Sequence, residues 1–277
     1  MPGRLLVCAT PIGNLADVTL RVLDALRAAD VIAAEDTRVT RKLLARYEIT
    51  TPLERYDEHT AAERTPRLVE RIAAGKTVAI VSDAGTPGVS DPGARLVDAC
   101  IEAGALVEVL PGPSAILAAL VASGLPTHAF YFGGFLPRKA GERTRALAAL
   151  AALDATLVFY ESPKRTAKTL DALAEAFPGR QAAMARELTK LHEEVMRSSI
   201  EDLAAQIASR ELKGEVVLLV GPPVTAGPEV ADDEVRRLLG EARSRGLTKK
   251  DAVREVAETT GLARNRVYGI AHAGTDS

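Results

Sequence analysis

Short β-type runs alternate with amphipathic helical stretches along most of this chain, and that alternation restricts it to an α/β architecture built around a largely parallel sheet. Leu5 to Ala9, Val31 to Ala34, Val78 to Val81 and Val107 to Leu110 read as strands. Between the first two, Leu20, Val22, Leu23 and Leu26 take the spacing of one buried helical stripe, while Arg21, Asp24 and Arg27 face water. Leu68 to Ala74 predicts a helix that stops at Gly75, and Asp91 stands where it would cap a helix that has Pro92 at its first position and Gly104 at its end. With 277 residues and 47% apolar composition the chain buries a large core, and its length points to about two domains.

A second α/β block begins near residue 125. Ala129 to Gly133, Thr156 to Tyr160, Gln181 to Arg186, Glu193 to Arg197 and Glu215 to Val220 read as strands, and Ser162-Pro163 reads as the cap of a helix from Pro163 to Phe177. The Pro- and Gly-rich stretch from Gly221 to Pro228 continues neither element and marks a linker. After it the pattern is helical only: Val235, Leu238 and Leu239 form one stripe, Ala252, Val253, Val256 and Ala257 a second closed by Gly261, and Val267 and Ile270 a third, as in a helix-turn-helix. The expected division is 1–124 and 125–221 for the two α/β halves, 222–231 for the linker and 232–277 for the helical domain.

Several function classes are disfavoured by composition. Cys8 and Cys100 are too few and too far apart for a zinc knuckle or a disulfide framework, which suits a reducing cytosol. The longest uncharged apolar runs, Ala115 to Ala122 and Val216 to Val220, fall well below the ~18 residues of a membrane span, and no signal peptide is read at the N-terminus. A net charge of −2 gives no chain-wide positive field, so nucleic-acid contact must come from local basic patches. Aromatic residues make up 4% of the chain, with five Phe, five Tyr and no Trp, leaving few rings for base stacking. Six rings fall within residues 130–160; strand alternation is expected to bury Phe130 and Phe132 together, turn Tyr131 the other way, and leave Phe135 and Tyr160 at strand ends. The four histidines show no metal-ligand spacing, so no metal is expected; His192 stands out only by lying beside Lys190.

Three strand ends run into loops of small residues. The first is Ala9-Thr10-Pro11-Ile12-Gly13-Asn14-Leu15, which lacks the Gly-x-Gly-x-x-Gly dinucleotide fingerprint and reads either as a ligand loop or as a tight β-to-α turn. The second runs from Val81 to Gly93 with three Gly, two Pro and two Asp, far longer than the ~2–6 residues such connections need. Asp83 there is placed to accept hydrogen bonds from a ligand, and Asp91 reads mainly as a helix cap. The third is Leu110-Pro111-Gly112-Pro113-Ser114-Ala115. Open α/β folds bind ligands at the carboxyl ends of their strands, so three such loops point to a cofactor cleft.

These loops, with Ala34-Glu35-Asp36-Thr37-Arg38, Gly134-Phe135-Leu136-Pro137-Arg138-Lys139, Phe159-Tyr160-Glu161-Ser162-Pro163 and Ala185-Arg186-Glu187-Leu188-Thr189-Lys190, resemble one family. It is the ribosomal RNA small subunit methyltransferase I family, 2′-O-methyltransferases of the tetrapyrrole methylase superfamily, and the likeness runs in order from about residue 4 to 272. The resemblance implies a two-domain tetrapyrrole-methylase-like fold of the class III S-adenosylmethionine methyltransferases, with a small C-terminal all-helical domain. It also implies a homodimer that methylates a cytidine ribose in the decoding region of 16S ribosomal RNA, as free RNA or small ribosomal subunit, in the cytoplasm. By the same resemblance S-adenosylmethionine lies against Pro11, Ile12, Asp83, Gly85, Thr86, Ser114 and Ala115, with Tyr160, Ala185 and Val216 from the second half. Lys164 departs from the pattern, standing where the family often has His. A methylase acting on a tetrapyrrole-like small molecule is the alternative, and the match of Thr248 to Asp251 and Ala263 to Arg266 to the helical extension of the RNA enzymes counts against it.

Methyl transfer from a sulfonium to a ribose hydroxyl is an in-line displacement governed by positioning, and the hydroxyl needs a group to take or share its proton. Glu187, Glu161 and Asp36 are candidates, and Lys190 joins them if its pKa is depressed; Glu187 and Lys190 are favoured because they sit at a strand end facing the expected cleft. Basic side chains cluster for RNA: Arg38, Arg41, Lys42 and Arg46 on one helical face, Arg138, Lys139, Arg143 and Arg145 after Phe135, and Lys164, Arg165 and Lys168 further on. From Glu234 to Tyr268 nine Lys and Arg stand against five Asp and Glu, among them Lys249, Arg264 and Arg266. A solvated helix face explains any one cluster; together they point to an RNA-facing side.

Overall fold

The computed structural model describes residues 3–223, 230–262 and 264–273. The chain divides into two compact units, Met1–Pro223 and Val224–Ser277. The expected linker falls at this division, and its residues 224–229 lie outside the described residues, as does Ala263.

The first unit holds two five-stranded sheets. In the first, β1 (Arg4–Cys8), β2 (Val31–Ala34), β3 (Leu53–Arg55), β4 (Thr77–Val81) and β5 (Leu106–Leu110) pair in parallel in the order β3-β2-β4-β1-β5. Its central strands are buried on both faces, which is why they read as unbroken apolar runs. Leu6, Cys8, Ile32 and Ala79 pack on one face against α1 (Leu20–Ala28) and α2 (Thr37–Arg46). Leu5, Val7, Ala33 and Ile80 pack on the other against α3 (Ala61–Ala73) and α4 (Gly93–Glu102). Thr19 caps α1 by accepting the Val22 amide at 3.2 Å, and Asp36 caps α2 by accepting that of Arg38 at 2.8 Å. The helix read as Leu68 to Ala74 extends a further two turns toward the N-terminus, and the short β3 goes beyond the sequence reading altogether.

α5 (Ala115–Ser123) follows β5 but packs on the second sheet, Ala119 and Leu120 against Val158, Ala183 and Val217. That sheet is formed by β6 (Phe130–Phe135), β7 (Thr156–Glu161), β8 (Gln181–Arg186), β9 (Glu194–Ser199) and β10 (Val216–Val220), in the order β6-β7-β10-β8-β9. Only β6 and β7 are parallel; β10 pairs antiparallel with β7 and β8, and β8 with β9. The parallel arrangement expected of the whole chain thus describes the first sheet, and hairpin-like returns make the second mixed. α6 (Ala140–Ala148), α7 (Thr166–Ala176) and α8 (Ile200–Ile207) cover its other face through Leu147, Leu170, Leu173, Ile200 and Leu203.

Two local expectations are corrected. Phe130 is 44% exposed, because it opens β6, an edge strand, while Phe132 is half-buried against Tyr160. Helix α7 begins at Thr166 rather than Pro163, since the Ser162 hydroxyl donates to Glu161 and leaves no side-chain cap.

The second unit, described by itself, is three helices: α9 (Asp232–Ser244), α10 (Lys249–Thr260) and α11 (Arg264–Ala273). Val235, Leu239, Ala252, Val256, Val267 and Ile270 form its core, so the three stripes read from the sequence meet. Thr248 caps α10 by accepting the Asp251 amide at 3.2 Å, and the helix ends at Gly261.

Candidate active site

The three small-residue loops leave the carboxyl ends of β4, β1 and β5, which are neighbours in the first sheet. Thr10 and Gly85 exchange both backbone hydrogen bonds, at 2.8 and 3.0 Å, so the first two loops are zipped together. Asp91 Oδ1 accepts the amides of Gly88 at 2.8 Å and Gly93 at 2.7 Å, which folds the second loop back and starts α4. Ser114 Oγ accepts the Leu117 amide at 3.4 Å and caps α5.

A cleft of about 420 Å³ lies between these loops and the second sheet. From the first half it takes Ile12, Asp83, Gly85, Thr86, Ser114 and Ala115; from the second it takes Tyr160 and Val216. Ala185 is not among its walls: it is 0% exposed, packed in the interior of the second sheet beside Val217. Tyr160 is flanked by the rings of Phe132 and Phe135, with centroids 4.9 and 5.7 Å away. Five acidic residues line the same cleft, Glu35, Asp83, Asp91, Glu161 and Glu215. The Asp83 amide donates to Glu35 Oε2 at 3.2 Å, and the Asp36 amide donates to Asp83 Oδ1 at 2.9 Å. Burial pushes Glu35 and Asp83 above the usual carboxylate range, and the surrounding negative charges add to the rise. Glu35 carried no role in the sequence reading; it reaches the cleft because β2 lies beside β4.

A second cavity of about 450 Å³ adjoins the first, sharing Ile12, Ser82, Asp83, Ala84 and Glu215 with it. Pro11 and Gly13 of the first loop, Thr40 and Lys42 of α2, and Lys190 are among its other walls. Lys190 is presented by the turn after β8, in which Glu187 (φ 51) and Thr189 (φ 66) are left-handed. Thr189 Oγ1 accepts the Asn14 amide at 3.1 Å, tying this turn to the first loop. Lys190 Nζ donates to Glu187 Oε1 at 2.8 Å and to Glu215 Oε2 at 3.0 Å, and Glu187 Oε1 also accepts the Glu215 amide at 3.0 Å.

This arrangement decides how the acid–base candidates are used. Burial alone would lower the Lys190 pKa, but its two carboxylate partners outweigh that and hold it above its ordinary value, so it stays charged and is no proton acceptor. The Lys190 ammonium holds Glu187 below the usual carboxylate range. The Glu161 side chain is fully buried, accepting from Thr169 Oγ1 at 2.6 Å and the Ser162 amide at 2.7 Å, with Arg165 at 3.3 Å. Asp36 is a helix cap gripped by the Arg38 guanidinium, which depresses its pKa strongly.

The basic residues separate into free and committed ones. Lys42 faces the second cavity, Arg41 and Arg138 are exposed, and Lys164 is exposed at a groove beside Pro163. Lys139 pairs with Glu142, and Arg38, paired with Asp36, is itself exposed. Arg165 is a structural residue instead of a surface one, donating to the Leu136 carbonyl at 2.8 Å besides its pairing with Glu161. Arg143, counted in a basic cluster, is 6% exposed. In the helical unit Arg264 lies 3.4 Å from Glu258 and Arg266 3.5 Å from Asp232, both exposed, while Lys249 opens α10.

A family model described as Tetrapyrrole (Corrin/Porphyrin) Methylases matches residues 4–204, and one described as the RsmI C-terminal HTH domain matches residues 229–274. The Ribosomal RNA small subunit methyltransferase I of Mesorhizobium japonicum is 50% identical over 266 residues, which are 95% of this chain and 90% of that one. The chain belongs to the ribosomal RNA small subunit methyltransferase I family. Its relative from Synechocystis sp. is 42% identical over 271 residues, covering 97% of each chain. Among solved structures, the methyltransferase CobJ superposes with a TM-score of 0.62 at 27% identity, over 83% of this chain and 97% of CobJ. A uroporphyrin-III C-methyltransferase from Thermus thermophilus, solved with S-adenyl homocysteine, gives 0.56 at 22% identity over 78% of this chain and 97% of that one. That likeness shows a shared fold. Among the described residues, no helix is long and apolar enough to cross a membrane.

Proposed function

We propose that this chain transfers a methyl group from S-adenosylmethionine to the 2′-hydroxyl of a cytidine in the decoding region of 16S ribosomal RNA, within the small subunit, and does so as a cytoplasmic homodimer. The observation that carries the reading is the cleft between the two sheets, built from the loops that resemble the family, in a chain whose close relatives bear a ribosomal RNA methyltransferase name. The helical unit favours RNA over a tetrapyrrole, because the methylase match ends at residue 204 and a separate domain follows.

The residues present fit the cofactor. S-adenosylmethionine is cationic at its sulfonium and its ammonium, and Glu35, Asp83 and Asp91 set negative charge along the cleft. Ile12, Tyr160 and Val216 offer an apolar wall for a purine, and Ser114 and Ala115 bring the amide end of α5 to the same space. Gly85, at φ +77, leaves the space between Ile12 and the Pro113 carbonyl free of a side chain. Thr86 completes the contacts carried over from the family within this cleft, Pro11, carried over with them, lines the adjoining cavity instead, and Ala185 supports the sheet behind. When bound, the cofactor supplies an electrophilic methyl group on a sulfonium; the protein's part is to orient the hydroxyl and exclude water. Lys190, kept charged by Glu187 and Glu215, serves as a donor to the acceptor nucleotide, and Glu187 positions it. Arg38, Arg41, Lys42, Arg138, Lys139, Lys164, Lys249, Arg264 and Arg266 supply cations for phosphates, which fix register without reading bases.

Incubation with methyl-labelled S-adenosylmethionine and either small subunits or a porphyrinoid tests the reading. Label is expected in 16S ribosomal RNA, released as 2′-O-methylcytidine on digestion; label in the porphyrinoid alone, or on a base, overturns it.

A further inference from the structure

The two cavities meet along one short boundary, and only two of the side chains on it are ionisable: Asp83 and Glu215. Glu215 is spent on Lys190, 3.0 Å away. Asp83 Oδ1 accepts the Asp36 amide, while Oδ2 accepts no hydrogen bond from any described residue. On the far side of this boundary the second cavity carries one cation on each wall, Lys42 on α2 and Lys190 on the turn after β8. Lys42 forms no ion pair with any described residue, whereas every carboxylate proposed earlier as a base is already engaged. Val39 and Leu43 give this cavity an apolar floor, and its volume of about 450 Å³ falls within the ~300–1,000 Å³ of small-ligand pockets.

We propose that the Lys42–Lys190 cavity is the subsite for the acceptor nucleotide, and that Asp83, standing between it and the cofactor cleft, takes the proton of the reacting hydroxyl. The assignment rests on the methyltransferase reading above. Transfer of a methyl group from a sulfonium to a hydroxyl leaves a neutral thioether, an ether and one proton. Asp83 receives that proton as the oxygen–carbon bond forms and the methyl–sulfur pair stays on sulfur, and it then returns the proton to water. A carboxylate held above its usual range is the stronger base for this task. Lys42 and Lys190 bind the phosphates flanking the acceptor ribose.

Asp83→Asn keeps an acceptor for the Asp36 amide and removes the base. Three measurements on the full chain test it: S-adenosylhomocysteine affinity by calorimetry, single-turnover methylation at saturating cofactor and small subunits, and the pH dependence of that rate. Expected is a single-turnover rate, at saturating cofactor, lower by ~10²–10⁴; cofactor affinity falls as well, because Asp83 also lines the cofactor cleft, and saturation keeps that loss out of the rate. In wild type the rate should rise with pH to a plateau whose midpoint lies above the ordinary carboxylate value of ~3.9, and the variant should lose that rise. The groups facing Asp83 are Glu35, Asp36, Arg38, Asp91 and Glu215, with Lys190 behind the last, so the midpoint is a property of this cluster. Lys42→Ala, on the opposite wall, should raise KM for small subunits by about tenfold and leave S-adenosylhomocysteine affinity unchanged. A D83N enzyme with wild-type single-turnover rate, one that loses only cofactor affinity, or a K42A enzyme with unchanged KM overturns the assignment. Wild-type protein that methylates no ribosomal RNA overturns the methyltransferase reading instead.

Discussion

Glu187 and Lys190 are held by two glycines that leave them room. A Cβ on Gly214 would lie 2.2 Å from the Glu187 carboxyl, and its φ of +86 is one that side chains rarely adopt; a Cβ on Gly13 would lie 2.5 Å from Lys190 Cγ, the stem of a flexible chain. The two substitutions should therefore separate. Gly214→Ala is expected to cost about 2–3 kcal/mol in thermal or urea unfolding, while Gly13→Ala costs under about 1 kcal/mol yet displaces Lys190 and lowers the methylation rate. The pair also has a signed pH dependence. Glu187 is depressed, so its stabilisation is present above its unfolded value of ~4.3 and is lost as pH falls through the folded one. Lys190 is raised, so its share is present below its unfolded value of ~10.4 and is lost as pH rises through the folded one. Glu187→Gln should cost about 1 kcal/mol near neutrality, and urea titrations of the two proteins should converge only once pH has fallen through the lowered folded value. The motif Glu187 to Lys190 was legible in the sequence. That Lys190 keeps its proton was not, since it depends on Glu215, a residue 25 positions away.

Among the secondary elements, α6 and α7 carry charge inward with opposite consequences. Glu161, at the end of β7, meets Arg165 and Thr169 at the start of α7 and is fully satisfied, so Glu161→Ala strips the half-buried Arg165 and the buried Thr169 hydroxyl of their acceptor and should cost about 2–4 kcal/mol in chemical denaturation. Arg143 in α6 is buried with no carboxylate beside it among the described residues, and its Nε has no hydrogen-bond partner. Arg143→Leu should then be neutral or stabilising by up to about 1 kcal/mol in the same measurement, with RNA affinity unchanged because the side chain is not at the surface. Charge spacing alone had grouped Arg143 with Arg138 and Lys139, because composition counts a cation wherever its helix turns it. Helix stripes and strand runs were otherwise readable from periodicity. Of the elements that escaped, β3 is only three residues long and α6 carries a single large apolar side chain, Leu147, whereas α8 has the full stripe Ile200, Leu203, Ala204 and Ile207 and was open to being read.

For the molecule entire, α5 is apolar all round, yet only one of its faces meets the second sheet; Leu117 and Val121 are 53% and 75% exposed. Apolar side chains left in water on one helix face suit the homodimer proposed above. Leu117→Asp with Val121→Asp should shift the protein toward monomer in light scattering while leaving its unfolding temperature within a few degrees. RNA binding through several separated basic residues should weaken steeply with salt, the affinity falling by at least tenfold between 50 and 200 mM in filter binding; a salt-insensitive affinity would count against phosphate contacts. The α/β alternation, the three loops at strand ends and the helical stripes after the linker were set by local periodicity and turn chemistry, which a single chain displays in order. Strand order, the mixed pairing of the second sheet, the packing of α5 and the meeting of Glu35, Asp83 and Glu215 around one cleft arise only when distant segments become neighbours. Burial and hydrogen bonding then decide which carboxylates are paired and which one is left open to the ligand, and neither property exists until the chain has folded.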